Sequence, residues 1–217
     1  RNDQILEPFQ NRKDKKNLTE IYTEEAVNFI ERNKAKPFFI YLAHNAVHYP
    51  WQASPKHLEQ LKDLKVDNEE RRFFASMVLP LDDCVGEVVA SLKKHNLEQN
   101  TLLIFLTDNG SPSGQGFAQP RKKNRGQTTM SSPGPFNGFK GDTYEGGFRV
   151  PFICSWPGVI PAGKTYSQPI SSMDIAATIA ARNGISKPAY GLNFDGVDLL
   201  PFISGTNKID GRPHEVL

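Results

Sequence analysis

The sequence predicts an α/β protein with a mostly parallel central sheet flanked by helices. Two runs, 38–43 and 101–106, are almost entirely apolar, which is typical of strands covered on both faces. Each run follows a segment whose apolar residues recur every three or four positions, as in an amphipathic helix. The resulting order of helix, strand, helix and strand is that of an α/β protein. A third strand is predicted over 150–156, before the Pro157-Gly158 turn.

The first two helices have clear sequence signals. Asn17 is a suitable N-cap with Glu20 three positions later, and the apolar pattern that follows predicts a helix ending near Asn33. A second helix is predicted between Asn68 and Lys94. Pro80 lies inside it and is expected to kink the helix or divide it in two, because proline removes one backbone hydrogen bond.

The later part of the chain is less regular. Ser172 is expected to cap a helix over 173–182, which Asn183 and Gly184 end. Residues 111–149 are rich in Ser, Gly, Pro and basic residues and show no periodicity. An irregular stretch of this length inside a compact domain is usually functional or disordered.

Composition excludes several classes of protein. The 217 residues are 38% hydrophobic and 23% charged, which suits one globular domain. A net charge of +2 argues against a dedicated nucleic-acid binder. No apolar run approaches the roughly 20 residues that a membrane-spanning helix needs. The two cysteines are too few for a disulfide scaffold or a four-cysteine zinc site.

Polar chemistry follows two of the predicted strands, where ligands bind in open α/β sheets. Asp108 and Asn109 come directly after the second strand, and hard oxygen donors of this kind suit calcium or magnesium. The alternative is an ordinary Asx turn. His48 follows the first strand and is a candidate general acid or donor to an anionic substrate. The alternative for His48 is a loop histidine without a role, and His44 is expected to be structural.

Lys140 is a candidate anion ligand because Gly138 and Gly141 stand close to it. Glycine lets the backbone approach an anion, and the ammonium supplies a point charge. Residues 121–149 carry six basic residues against two acidic ones. The whole stretch therefore indicates an anionic ligand, although the 121–125 run by itself is more typical of a solvated loop.

Other polar residues have no motif around them. Asp82 and Asp83 lie in mid-helix and are interpreted as a solvated face, not as metal ligands. Cys84 and Cys154 are expected to be buried small hydrophobic residues. The remaining histidines have no recognisable context, namely His57, His95 and His214.

Four segments in a fixed order point to a family. They are 37–50, 81–86, 100–110 and 140–151, the last of which reads Lys-Gly-Asp-Thr-Tyr-Glu-Gly-Gly-Phe-Arg-Val-Pro. Together they resemble the type I sulfatases of the alkaline phosphatase superfamily. Within that family they are most similar to the N-acetylgalactosamine-6-sulfatase-like and arylsulfatase-like members. The resemblance covers almost the whole chain.

The resemblance implies an alkaline-phosphatase-like sandwich, hydrolysis of sulfate esters on a sulfated carbohydrate, and a bound calcium ion. Asp108 and Asn109 would be two of the metal ligands. His48 would contact the sulfate and help the leaving oxygen depart, and Lys140 would hold the sulfate oxygens. A cation and a lysine placed in this way stabilise charge on the transferring group.

The family's nucleophile is a formylglycine made from Cys or Ser in a Cys/Ser-x-Pro-x-Arg motif, and this sequence contains no such motif. Residues 1–217 are therefore expected to be part of a sulfatase catalytic domain. The nucleophile-bearing part and the small C-terminal subdomain would lie outside them, and the rest of the domain would be a partner. Export to a periplasm, a lysosome or the exterior is implied by the resemblance alone. Val47 stands where the family usually has proline.

Two other functions stay open. One is a phosphate or phosphonate ester hydrolase of the same superfamily, which preference among ester substrates would distinguish. The other is a degenerate paralogue that binds metal or sulfated glycan without turnover. Salt-sensitive binding of a sulfated polysaccharide without desulfation would indicate that function.

Overall fold

The computed structural model describes residues 17–48, 51, 53–66, 69–112, 130–186, 193–204 and 213–214. The predicted α/β class is confirmed in them. In chain order the elements are α1 (Leu18–Asn33), α2 (Pro55–Gln60), α3 (Glu69–Lys94), a 3₁₀ turn (Glu98–Asn100), β1 (Leu103–Leu106), α4 (Glu145–Phe148), β2 (Phe152–Ser155), α5 (Met173–Arg182) and α6 (Leu200–Ile203).

The described residues divide into two compact units. One takes those up to Leu97 and those from Phe105 to Phe152, and the other takes Glu98–Ile104 and the residues from Ile153 onward. Strands β1 and β2 pair in a two-stranded sheet. No helix in the described ranges is both long and apolar enough to cross a membrane.

Helix α1 begins where its sequence predicts. The Asn17 side chain accepts a hydrogen bond from the Glu20 backbone N–H at 2.9 Å. The Glu20 carboxylate accepts one in return from the Asn17 backbone N–H at 3.3 Å. This capping box satisfies two backbone donors that no helical carbonyl can reach, so the start of α1 is fixed locally.

Helices α1 and α3 pack together and form the core of the first unit. Ile30 from α1 and Cys84 from α3 are both almost fully buried. The Thr23 hydroxyl donates to the Thr19 carbonyl, and its oxygen also lies in contact with the Cys84 sulfur. Burial raises the pKa of the Cys84 thiol, which fits the predicted role of a small buried hydrophobic residue.

Of the two expected effects of Pro80, a kink or a division of the second helix, the division is wrong. α3 continues from Glu69 to Lys94 with Pro80 inside it and buried. Packing against α1 and α2 supplies the stability that offsets the lost backbone bond. The helix ends at Lys94, the predicted limit, and Asn96 follows with a positive φ of 56°.

The expectation of a buried strand over 38–43 is also wrong. Residues 37–45 are without strand or helix, and within the described residues the backbone of 38–44 makes no hydrogen bond to another backbone segment. Alternate side chains are exposed, with Phe39 at 66% and Tyr41 at 81%. Phe38 packs its ring edge-on against Phe29 of α1, with ring centroids 6.1 Å apart. One face of the segment therefore lies on the helix, and the other meets solvent.

The second unit is organised by a buried carboxylate. Asp174 at the start of α5 is fully buried and accepts hydrogen bonds from the backbone N–H groups of Ser171 and Val197. The His214 ring nitrogen lies 2.9 Å from the same carboxylate. Ser172 is the N-cap residue of α5, as predicted, but its side chain makes no capping hydrogen bond.

Asp83 does more than form a solvated helix face. It is exposed, as predicted, but its carboxylate lies 3.0 Å from His57 Nε2 and 3.2 Å from Lys56 Nζ. His57 is buried, and its Nδ1 lies 2.5 Å from the hydroxyl of Ser54, the N-cap residue of α2. In a neutral ring Nε2 carries the proton that the carboxylate accepts, and Nδ1 accepts from the hydroxyl. These contacts tie α2 to α3.

The Asp83 contact predicts a dependence of stability on pH. The hydrogen bond from His57, with that from Lys56, holds the pKa of Asp83 below its usual value. Its stabilisation is present above the ordinary carboxyl pKa of about 4 and is lost as pH falls through the lowered value. The effect should stay below about 1 kcal/mol because the carboxylate is half exposed.

We therefore expect Asp83→Asn to lower the free energy of unfolding at pH 7 and to match wild type near pH 2. Urea melts at several pH values measure this difference. Asp82→Asn is the matched control, since Asp82 is exposed on the same helix and should show no such trend. A difference between wild type and Asp83→Asn that is independent of pH would contradict the assignment.

Candidate functional site

Asp108 and Asn109 lie in the turn that follows β1. The Thr107 hydroxyl donates to the Asn109 carbonyl at 3.4 Å, and Asn109 Nδ2 donates to the Gly110 carbonyl at 3.3 Å. The second bond uses the amide nitrogen of Asn109, and no donor among the described residues bonds to its Oδ1. The Asp108 carboxylate is exposed and makes no hydrogen bond or ion pair with the described residues. Two hard oxygen donors are thus available side by side.

Lys140 is held in a tight turn from Phe139 to Asp142. The Asp142 backbone N–H donates to the Phe139 carbonyl at 2.8 Å, and the Asp142 carboxylate accepts from the Phe139 N–H at 3.0 Å. Gly141 supplies the positive φ, 92°, that the third position of such a turn requires. The Lys140 side chain is exposed and has no ion-pair partner in the described part of the chain. Its charge is therefore available to an anion.

Two backbone hydrogen bonds join these two turns into one loop cluster, and a third lies within its second segment, 137–147. The Gly110 N–H donates to the Gly147 carbonyl at 2.8 Å, and the Lys140 N–H donates to the Ser111 carbonyl at 2.8 Å. The Gly146 N–H donates to Asn137 at 2.7 Å. The structure therefore brings the backbones that carry Asp108, Asn109 and Lys140 together, although some 30 residues separate them in sequence.

His48 lies in a different turn. Its backbone N–H donates to the Asn45 carbonyl at 2.7 Å, and the ring is exposed. The peptide bond between Ala46 and Val47 is cis. The three backbone bonds of the loop cluster do not include His48. Its role is a prediction from the sequence.

His44 behaves as the structural histidine that was expected. It is half-buried against Tyr22, with ring centroids 6.3 Å apart. Burial lowers the pKa of the ring, because desolvation disfavours the charged form. His44 is therefore held neutral and is a poor donor to an anion.

Sequence reasoning missed the glycines that allow the two turns to meet. A Cβ on Gly110 would lie 2.9 Å from the Gly146 carbonyl carbon and closer still to its oxygen. A Cβ on Gly146 would lie 2.6 Å from the Asn137 oxygen. The Gly-Gly pair at 146–147 was the available signal, since adjacent glycines mark close approach of backbones.

The structure describes some of the basic and aromatic residues in the stretch around Lys140. The Arg149 guanidinium lies 4.6 Å from the centre of the Phe136 ring and forms a 2.9 Å ion pair with Glu145. These two contacts hold the Arg149 guanidinium against Phe136 and Glu145. The predicted basic run 121–125 lies outside the described residues. Lys140 is therefore the cation of this stretch that the described contacts leave unpaired.

The donors in the cluster fit a calcium ion in kind. Calcium binds carboxylate and amide oxygens, and Asp108 with Asn109 offers one of each, with no competing partner among residues the structure describes. In the described residues no group of three His, Cys, Asp or Glu side chains converges. These two residues would therefore hold one side of an ion and depend on further ligands for the other.

Comparisons with known proteins agree on one family. The family model described as Sulfatase matches residues 2–185. The chain is 36% identical over 199 residues to N-acetylgalactosamine-6-sulfatase of Canis lupus familiaris, covering 91% of this chain and 34% of the relative. It is 33% identical over 201 residues to Steryl-sulfatase of Homo sapiens, covering 93% and 32% respectively.

A solved structure gives the same result for the fold. The crystal structure of Ps i-CgsB in complex with k-i-k-neocarrahexaose matches with a TM-score of 0.77 at 36% identity, covering 93% of this chain and 41% of that one. The chain thus spans about a third of the length of the curated relatives it matches.

Proposed function

The chain belongs to the sulfatase family, with part of its alkaline-phosphatase-like α/β fold, and from this premise we propose that the complete protein hydrolyses sulfate esters. The observation that carries the proposal is the loop cluster. It holds a carboxylate, an amide oxygen and a lysine that pair with no described residue, on two turns joined by backbone hydrogen bonds. Divalent-cation ligands beside a lysine form a site for a tetrahedral anion.

Each side chain has a distinct role in this proposal. Asp108 and Asn109 hold the metal through Oδ atoms. Lys140 donates from Nζ to the non-bridging sulfate oxygens and stabilises the negative charge that they carry as the ester bond breaks. His48 donates a proton to the departing ester oxygen as the S–O ester bond breaks, and the net reaction turns the ester and one water into an alcohol and sulfate.

Calcium, when bound, would polarise the sulfate oxygens as a Lewis acid. The formylglycine nucleophile of the family would come from outside this chain, as would the remaining metal ligands. The rest of the catalytic domain is therefore the partner we propose for residues 1–217. Export of the protein stays a prediction from the family resemblance.

We propose a sulfated carbohydrate as the substrate. One relative is a sulfatase of N-acetylgalactosamine-6-sulfate by its name, and the structural relative was crystallised with neocarrahexaose. Two lines of similarity thus lead to sugars. The similarity to a steryl-sulfatase makes a hydrophobic sulfate ester the proper comparison substrate.

The test is a substrate panel with the complete protein. We expect calcium-dependent release of sulfate from N-acetylgalactosamine 6-sulfate or a sulfated oligosaccharide, and slower release from a steroid sulfate. 4-Nitrophenyl phosphate distinguishes the ester class, and preference for it would assign the protein to phosphate ester hydrolysis. Binding of a sulfated glycan without any sulfate release would overturn the catalytic proposal.

A further inference from the structure

The contact between Gly110 and Gly146 brings together the backbones of the two turns in the loop cluster. Gly110 directly follows Asn109, and Gly146 lies six residues after Lys140. At this contact the Gly110 N–H donates to the carbonyl of Gly147, the residue after Gly146, at 2.8 Å. Neither Gly110 nor Gly146 has a positive φ, so the need for glycine at both positions is one of space.

Space at the contact is fully used. A Cβ on Gly110 would lie 2.9 Å from the Gly146 carbonyl carbon, where carbon atoms normally stay about 3.5–4.0 Å apart. The obstructing atoms are backbone atoms, which no side-chain rotation can move. A methyl group on Gly110 would therefore push the turn of Asp108 and Asn109 away from residues 146–147 by roughly 1 Å.

The far side of the contact is equally tight. The Gly146 N–H donates to the Asn137 carbonyl, and a Cβ on Gly146 would meet both Asn137 and Gly138. A Cβ on Gly147 would lie 2.7 Å from the carbonyl oxygen of Phe139, which opens the turn of Lys140. A displacement of the backbone at Gly110 is therefore expected to be passed on to the backbone of Lys140, because the contacts between them leave no free space.

We propose that Gly110 and Gly146 are positioning residues whose contact sets the spacing between the metal ligands, Asp108 and Asn109, and the sulfate-holding Lys140. This inference rests on the proposed function of these residues. Neither glycine touches substrate. Because both residues lack a side chain, the turn of Asp108 and Asn109 can approach the turn of Lys140. The metal and the lysine can then act on one sulfate group at the same time.

The experiment uses the complete protein with Gly110→Ala, Gly146→Ala and the control Gly86→Ala. Gly86 is exposed on α3 with no atom within 4 Å of an added Cβ, so its variant should keep wild-type kinetics and melt at or slightly above the wild-type temperature, because alanine favours the helix. For Gly110→Ala and Gly146→Ala we expect kcat to fall about 100-fold, as a displacement of about 1 Å does in a positioned site. Calcium affinity should change less than kcat.

Calcium titration and thermal melting separate positioning from general damage. A kcat that falls in a variant with a near-wild-type melting temperature and retained calcium binding supports the inference. Wild-type kcat in folded Gly110→Ala overturns it. If instead Asp108→Ala leaves calcium affinity unchanged, the proposed metal site itself fails, which is a separate outcome.

Hydrogen exchange of the wild-type protein tests the inference even if the glycine variants do not fold. Calcium is expected to slow exchange of the backbone amides in 108–112 and in 137–147 together, because the contact joins them. Slowing confined to 108–112 would overturn the inference without any substitution.

Discussion

Lys140→Ala in the complete protein is expected to lower kcat for a sulfate ester by about 100- to 1000-fold. That is the loss usually seen when one preorganised donor to a developing anion is removed. The Lys140 turn is held by three hydrogen bonds that do not involve its side chain. The variant should therefore fold, and its melting temperature should stay close to that of wild type.

Lys164→Ala is the matched control for this prediction, because Lys164 is also an exposed lysine beside a glycine of positive φ. It should keep wild-type kcat and KM. Lys140→Arg should recover only part of the activity, since guanidinium is planar and larger than ammonium. Equal kcat values for Lys140→Ala and wild type would show that Lys140 does not act on the sulfate.

Asp108→Ala is expected to weaken calcium binding by about 100-fold or more and to abolish activity at ordinary calcium concentrations. Calcium affinity depends on the number of charged oxygen ligands, and Asp108 is the carboxylate of the loop cluster that pairs with no described residue, whereas Asp142 and Glu145 have partners. Titration of metal-free protein with calcium, followed by calorimetry, measures the effect directly. Activity at raised calcium should recover in part.

Asp63→Asn serves as the control for Asp108, because Asp63 is an exposed aspartate in a turn of the same unit. It should leave calcium affinity unchanged. Asp108→Asn keeps the shape and one oxygen donor but loses the charge, so its affinity should fall between wild type and Asp108→Ala. An unchanged calcium requirement in Asp108→Ala would contradict the metal assignment.

Elements that depend on local signals were predictable from sequence. Helix α1 begins at its predicted cap because the Asn17 and Glu20 side chains bond to each other's backbone. The bounds of α5 were correct as well, although Asp174, not Ser172, accepts the backbone hydrogen bond at its start. Such features need only neighbours within one helical turn.

Features that depend on distant partners were not predictable. The apolar run 38–43 indicates burial, but it forms no ladder in the described residues, since strand pairing needs a partner from elsewhere. The His57–Asp83 contact joins residues 26 positions apart. Nothing in the sequence around His57 marks it as the partner of an aspartate on another helix.

The candidate site was predictable from the sequence only in part. Placing Asp108 and Asn109 at a strand end followed from the apolar run before them, and β1 does precede them. The approach of Lys140 depends on backbones meeting at Gly110 and Gly146. Single glycines in a loop do not say which backbone they face, so this contact needed the structure.

The extended segment 37–45 also has a practical consequence for the handling of the isolated chain. The backbone of 38–44 has no backbone partner among the described residues, and Phe39 and Tyr41 project from its exposed face. An uncharged, aromatic stretch with open backbone donors and acceptors is a template for intermolecular strand pairing and aggregation. Residues 1–217 expressed alone should therefore accumulate in inclusion bodies, and a charged residue at Tyr41 should raise their soluble yield.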